Sequence, residues 1–281
     1  LVDALAAHGL AVRDIERVVI THPHVDHFGL AAQLVAESDA TVWICELGAP
    51  WLTDTDAMWA GRMAYYRRDL LPALGLPPAT NDLILGGLRG LATNADPVPA
   101  GRVVTFRPDG VLQMGGAAWR VIHTPGHAYA QTVFYQPETR RLLSADMLLA
   151  VTPAPVIDHP PPGERREPAL PDFIRSLDVL DTLDIDTVYP GHGRPFGDHR
   201  AVIARQRGRI AGRKAQCLEF IRAGQATVPE LLESMYAHQP PESRVAGLWM
   251  LLGYLDLLLD EGEIVEVASG DVSQYLPRHA G

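Results

Sequence analysis

The ten residues Val18-Val19-Ile20-Thr21-His22-Pro23-His24-Val25-Asp26-His27 set three imidazoles and a carboxylate directly behind a β-branched run. Such donors, crowded together, are what a divalent transition metal takes. Val and Ile make a stiff strand that buries well, so polar groups at its exit stand on a fixed platform with their heads still reachable. His22 and His24 are two residues apart, which in an extended segment aims both rings to one side. Asp26 and His27 follow where the chain turns into the helix-like run Phe28 to Leu34. One loop therefore offers four ligands. A solvated polar turn is the bland alternative, and three further segments weigh against it. Trp119-Arg120-Val121-Ile122 leads to His123-Thr124-Pro125-Gly126-His127, where Pro and Gly block regular structure and expose the histidines. Leu142-Leu143-Ser144 leads to Ala145-Asp146, and Thr187-Val188-Tyr189 leads to Pro190-Gly191-His192-Gly193.

In this order, H-x-H-x-D-H, T-P-G-H, S-A-D and P-G-H-G, the motifs resemble those of the metallo-β-lactamase superfamily, from about Val18 to Gly193. The resemblance implies one metal held by His22, His24 and His127, a second held by Asp26, His27 and His192, and Asp146 bridging them. The cofactors it implies are two divalent metal ions, zinc first, with iron and manganese as alternatives. A hydroxide bridging the pair would be the nucleophile, and Asp26 would be the catalytic residue that orients it or accepts its proton. The zinc β-lactamases that use a cysteine ligand do not fit, because Cys45 and Cys217 lie outside every motif. Asp26 with Asp146 is more similar to the branch of glyoxalase II hydrolases, lactonases, thioesterases and metal-dependent nucleases. Many glyoxalase-like chains read H-T-P-G-H-T-x-G-H, whereas Ala128-Tyr129-Ala130-Gln131 follows His127 here, on the leaving-group side of the pocket. His123 reads as a packing or supporting residue. His8, His159, His199, His238 and His279 read as background, His159 having the best claim to touch substrate.

The elements that position these motifs alternate strand and helix, which gives an α/β class. The resemblance sharpens this to an αββα four-layer sandwich occupying residues 1–197. Leu1 to Gly9 reads as a helix, and the strands that the family sets ahead of the first motif would lie before Leu1, where a leader peptide also stays open. Thr41 to Ile44 is a strand. About 50–100 is a helical insertion, read either as extra packing or as a cap over the substrate pocket. Its Tyr65, Tyr66, Arg67 and Arg68 include the candidate substrate contacts Tyr66 and Arg67, an aromatic and basic pair suited to an anionic acyl carrier such as glutathione or coenzyme A. Segments 102–106, 110–112, 118–122, 132–135 and 141–143 read as consecutive strands of a second sheet, and 173–183 as a helix. Residues 198–281 form a tail of three helices and a short β wing, which resembles a winged-helix domain. Its third helix is rich in leucine, which fits packing on the catalytic domain or on a second copy better than a nucleic-acid contact.

Composition sets limits on these readings. The chain has 281 residues, 47% of them hydrophobic, enough for a large core plus a smaller domain. Its 24 Lys and Arg against 34 Asp and Glu give a net charge of −10, which disfavours polyanionic partners. Two distant cysteines give neither a disulfide framework nor a zinc-finger spacing, which suits a cytoplasmic protein. No apolar run reaches membrane-spanning length. The leading function is hydrolysis of a small ester or thioester in the manner of glyoxalase II. RNA phosphodiester cleavage, drawing on the tail and its arginine-rich helix from Arg200 to Lys214, and lactone hydrolysis are the alternatives.

Overall fold

The computed structural model describes residues 1–151, 166 and 168–278. After a short helix α1 (Val2–Ala6), strand β1 (Arg17–Ile20) pairs in parallel with β2 (Thr41–Cys45), Ile20 lying opposite Ile44. Parallel neighbours need a crossover, and α2 (Val25–Phe28) with α3 (Ala31–Ala36) supplies it. Both strands therefore run off the same edge of the sheet, and the H-x-H-x-D-H loop sits at that edge.

Helices α4 (Ala49–Thr53), α5 (Thr55–Tyr65), α6 (Leu71–Leu74) and α7 (Pro78–Ala92) make up the insertion, with a π turn at Tyr66–Leu70. The chain then returns as β3 (Val103–Phe106), which pairs in parallel with β2. This corrects the expectation that 102–106 opens the second sheet. Read as an appendage, the insertion hides its second role as the crossover of a β2–β3 unit, and only a long crossover lets a strand return in parallel. Arg102 fixes the joint, its guanidinium donating to the carbonyls of Ala40 and Ser38 at 2.9 and 2.6 Å.

The second sheet has the order β4 (Val111–Met114), β5 (Ala117–His123), β6 (Thr132–Gln136), β7 (Arg141–Ala145), β8 (Thr187–Pro190). Its first four strands are antiparallel, and β8 joins β7 in parallel after the crossover helix α8 (Ala169–Asp181). Strand alternation builds the layers. Val19 and Trp43 point from the first sheet toward Leu112, Val121 and Phe134 of the second. Ile20, Val42 and Ile44 point the other way and join the core with Phe28, Val35 and Trp51, while Val133 and Leu142 meet Leu177 and Leu180 of α8. The result is the helix, sheet, sheet, helix sandwich of the metallo-β-lactamase fold.

The tail consists of α9 (His199–Arg222), α10 (Val228–Tyr236), α11 (Pro241–Asp260) and a hairpin of β9 (Ile264–Ser269) with β10 (Val272–Pro277). Asp198 caps α9 by accepting from the Ala201 amide at 3.0 Å, and Thr227 with Glu230 forms a capping box on α10. Leu248, Leu251, Leu252, Leu255 and Leu258 of α11 are buried in the same cluster as Leu170 and Leu177 of α8. Gly253 permits the approach: a Cβ there would stand 2.8 Å from that of Leu170. The leucine-rich helix thus packs on the catalytic part of the chain. Among the described residues, no helix is long and apolar enough to cross a membrane.

Leu170 is fully buried at this joint, so Leu170→Ala is expected to cost roughly 2–5 kcal/mol, read as a lowered urea midpoint. A midpoint within error of the parent would show that tail and catalytic part do not share a core.

Candidate metal centre

Residues from four loops converge at one edge of the sandwich. His22, His24 and His127 form one group and Asp26, His27, Asp146 and His192 another, with the potential ligand atoms of each group all within 4.8 Å of one another. His22 is fully buried and turned by its neighbour, since Nδ1 lies 3.0 Å from Thr21 Oγ1. Its Nε2 is buried without a hydrogen-bond partner among the described residues, as is Asp146 Oδ1. Buried polar atoms ordinarily find partners, and a cluster that leaves the His22 ring nitrogen and a carboxylate oxygen unsatisfied has the form of a cation site. The donor set of five imidazoles and two carboxylates fits two divalent transition ions.

Asp146 lies between the groups. Its Oδ2 is 3.5 Å from His127 Nε2 on one side, and 3.5 and 3.4 Å from His27 and His192 Nε2 on the other. Local backbone delivers it there. The β7–β8 ladder slips register between Leu143 and Ala145, and Ala145 takes φ of 44°, left-handed backbone that a non-glycine residue adopts at a cost. Gly191 completes the fit, because its amide donates to Ala145 O at 2.8 Å and a Cβ there would stand 2.2 Å from Asp146 Oδ1. Gly126 plays the same part for His127. It adopts φ of 126°, and a Cβ would stand 2.4 Å from the Phe173 backbone of α8, while Ser176 Oγ donates to Pro125 O at 2.8 Å. Thr132 pins the two sheets together beside His22, donating from N and Oγ1 to Thr21 O at 2.9 and 3.1 Å.

Burial, reinforced by the surrounding imidazoles, holds the His22 ring well below the usual histidine value of 6.5, and His24 likewise with an added push from the Arg62 guanidinium. Both rings are therefore neutral and able to ligate at ordinary pH. Burial pushes the Asp146 carboxyl up, but the hydrogen bond with His27 and the charges of His127, His27 and His192 outweigh it and leave the group below the usual aspartate range. Asp26 differs from Asp146 in exposure, at 59% against 6% for the side chain, and its Oδ2 lies 3.2 Å from His192 Nε2.

The other expected residues are placed as follows. His123 Nε2 lies 2.7 Å from Tyr129 O, and the Tyr129 hydroxyl donates to Leu47 O at 2.7 Å, so the residues after His127 brace the loop against the turn behind β2. Tyr66 is fully buried with its ring 5.6 Å from that of Trp249, and Arg67 is exposed. Neighbouring positions on a helical turn do not share a face, so burial of Tyr66 leaves Arg67 toward solvent. His159 lies outside the described residues. Sequence reasoning passed over Arg62, whose guanidinium lies 3.9 and 4.9 Å from the ring centres of Trp51 and Trp59. The Trp59 and Arg62 spacing of three on a helix was its only signal.

The model of the metallo-beta-lactamase superfamily matches residues 1–192, and the chain belongs to that family. Over 277 residues it is 28% identical to the probable metallo-hydrolase YqjP of Bacillus subtilis (strain 168), covering 98% of this chain and 84% of that one. A solved metallo-beta-lactamase family protein from Thermus thermophilus, TTHA1429, superposes with a TM-score of 0.79 at 26% identity, covering 99% of this chain and 84% of that one. A shorter match, 26% over 140 residues, covers 47% of this chain and 42% of the atrochrysone carboxyl ACP thioesterase of Aspergillus chevalieri. Fold, site and relatives make this a metal-dependent hydrolase.

Gly191→Ala is expected to push Asp146 out of place, lowering bound metal and turnover by about tenfold or more while circular dichroism stays unchanged. Full metal content in that variant would show that Asp146 is not held by this contact. A second expectation concerns pH. His22 and His24 are depressed in the folded state, so below about 6.5 the unfolded chain binds more protons than the native one. The stability they contribute is present above that pH and lost as pH falls toward their folded values. The urea midpoint of metal-free protein should drop between about pH 7.5 and 5.5, and an unchanged midpoint would mean that these rings are hydrated.

Proposed function

We propose that the chain hydrolyses a small ester or thioester at a dinuclear centre held by His22, His24 and His127 on one side and Asp26, His27 and His192 on the other, with Asp146 shared. The observation that carries this is the position of Asp146 Oδ2 within 3.5 Å of ring nitrogens from both groups. When bound, two such cations supply an acidified water as nucleophile and positive charge for the developing oxyanion. The protein's own part is then to orient and to move protons. Asp26, exposed toward solvent and beside His192, takes the proton of the attacking water at Oδ2 and passes it to the leaving alcohol or thiol. Asp146, buried and ionised, stays in place through the reaction. The braced loop of His127 to Gln131 forms the wall on the leaving-group side.

An aspartate at the shared position and the match to a thioesterase support acyl transfer to water over β-lactam cleavage. The cations of α9 bear on the RNA alternative. Arg207 is paired with Asp178 and Asp181, Lys214 with Glu261, and Arg222 with Glu263, while Arg205 and Arg213 donate to the carbonyls of Ala150 and Met235. With these five cations engaged within the chain, α9 offers less to a phosphate backbone than its sequence suggests.

The test is a side-by-side assay of S-acyl glutathione, acyl coenzyme A, a lactone and single-stranded RNA with metal-loaded protein, repeated after chelation. Thioester or ester turnover that disappears with the metal and in Asp146→Ala is the expected result. RNA cleavage alone would reverse the reading, and full activity after chelation would end it.

A further inference from the structure

Past Asp146 the chain has no ladder to bind its backbone, and a helix of the tail takes that part. Strand β7 ends at Ala145, and residues 146–150 are irregular. Met147, Leu148 and Leu149 are nonetheless buried, so their backbone groups depend on partners inside the protein. The segment supplies some itself: Ser144 Oγ donates to Leu148 O at 3.2 Å, and the Met147 amide donates to Ser144 O at 3.1 Å. Two more come from α9. Gln206 Nε2 donates to Met147 O at 3.4 Å, and Arg205 Nη2 donates to Ala150 O at 2.9 Å. Neighbouring side chains of the tail thus grip the segment 147–150 at both its ends.

The residue type at 206 is informative. Gln206 is 7% exposed, and its Oε1 is buried with no hydrogen-bond partner among the described residues. Leaving a buried carbonyl unpaired is unfavourable, and an apolar side chain of similar shape would avoid it. The amide is explained by what its N–H group holds, the carbonyl one residue beyond Asp146. That carboxylate needs a hold on both flanks, since a group with one anchored neighbour can pivot and a metal ligand tolerates little such freedom. On one flank the Gly191 amide locks Ala145 O at 2.8 Å. On the other, α9 does the equivalent. The same helix braces the His127 loop through α8. Arg207 pairs with Asp178 and Asp181, while α8 sets its Phe173 backbone against Gly126 and lends Ser176 Oγ to Pro125 O.

We propose that Gln206 and Arg205 are positioning residues of the metal centre: by holding Met147 O and Ala150 O they fix the far flank of Asp146, which makes the tail a working part of the site. This rests on the reading of Asp146 as a metal ligand.

The experiment titrates the metal-free full chain with Zn2+ against a competing chromophoric chelator and reads the urea midpoint of the metal-free protein alongside. Arg205→Met and Gln206→Met should each weaken binding, and the two together by about 10–100-fold, with a midpoint close to that of the parent. Arg205→Lys keeps a donor and should keep the parent affinity. Unchanged affinity in the double variant, whatever its midpoint, overturns the proposal. So does an equal loss in Arg205→Lys and Arg205→Met, which would mark ordinary packing. Should the double variant not fold, Arg205 is exposed and its Met and Lys variants decide alone. Asp146→Ala separates the two readings. Parent affinity in that variant would remove Asp146 from the centre, and the proposal with it. Loss there with full affinity in the α9 variants would leave the centre intact and end the part given to the tail.

Discussion

The structure answers to one electrostatic constraint: the imidazoles of His22 and His127 and the carboxylate of Asp146 are gathered at a sheet edge with little water to solvate them. His22 and His127 are nearly inaccessible, and Asp146 is at 5%. Such a cluster is unfavourable by itself, since unsatisfied buried polar atoms each cost roughly 1–3 kcal/mol. The surrounding fold must hold it open against collapse or rotation. Thr21, Thr132, Ser176 and Gly191 do so through hydrogen bonds or close approach to the ligand loops. Cation binding relieves the penalty, so the site is stable as a holo structure and strained as a bare one.

The strain is concentrated at Ala145, where the ladder slips and the backbone turns left-handed to set Asp146 between the two histidine groups. This explains why the carboxylate between the two groups comes from a strand end. A loop would let the carboxylate wander between the two groups, whereas a bulge locked on β8 by the Gly191 amide gives it one position. The sandwich is the rigid body against which that lock works.

The seven clustered residues were legible because their chemistry is local: each motif pairs a strand with a Pro, Gly or Ser turn that projects a polar head, and such signals survive in sequence without knowledge of partners. Strand positions were legible for a similar reason, as β-branched alternation marks them. Partnership was not. Nothing in Arg102 to Phe106 distinguishes a strand that pairs with Thr41–Cys45 across a long helical crossover from one that opens the next hairpin. Nor did the pattern around Tyr65 to Arg68 announce a π turn, or show that Tyr66 is buried while its neighbour Arg67 is exposed. Long-range pairing and departures from helical period both depend on what packs opposite, and a single chain read in order does not contain that.

The tail and the insertion hold their arginines differently. Both are helical additions to the sandwich and both carry arginines. In the tail these arginines answer to nearby carboxylates and carbonyls along the surface of α9, and the apolar face of α11 closes over α8, so the tail acts as a buttress for the crossover that leads into Pro190 to Gly193. In the insertion the Arg62 guanidinium is turned inward, against the two indoles of Trp51 and Trp59. The insertion's other part is topological, since it is the crossover that lets β3 return in parallel beside β2.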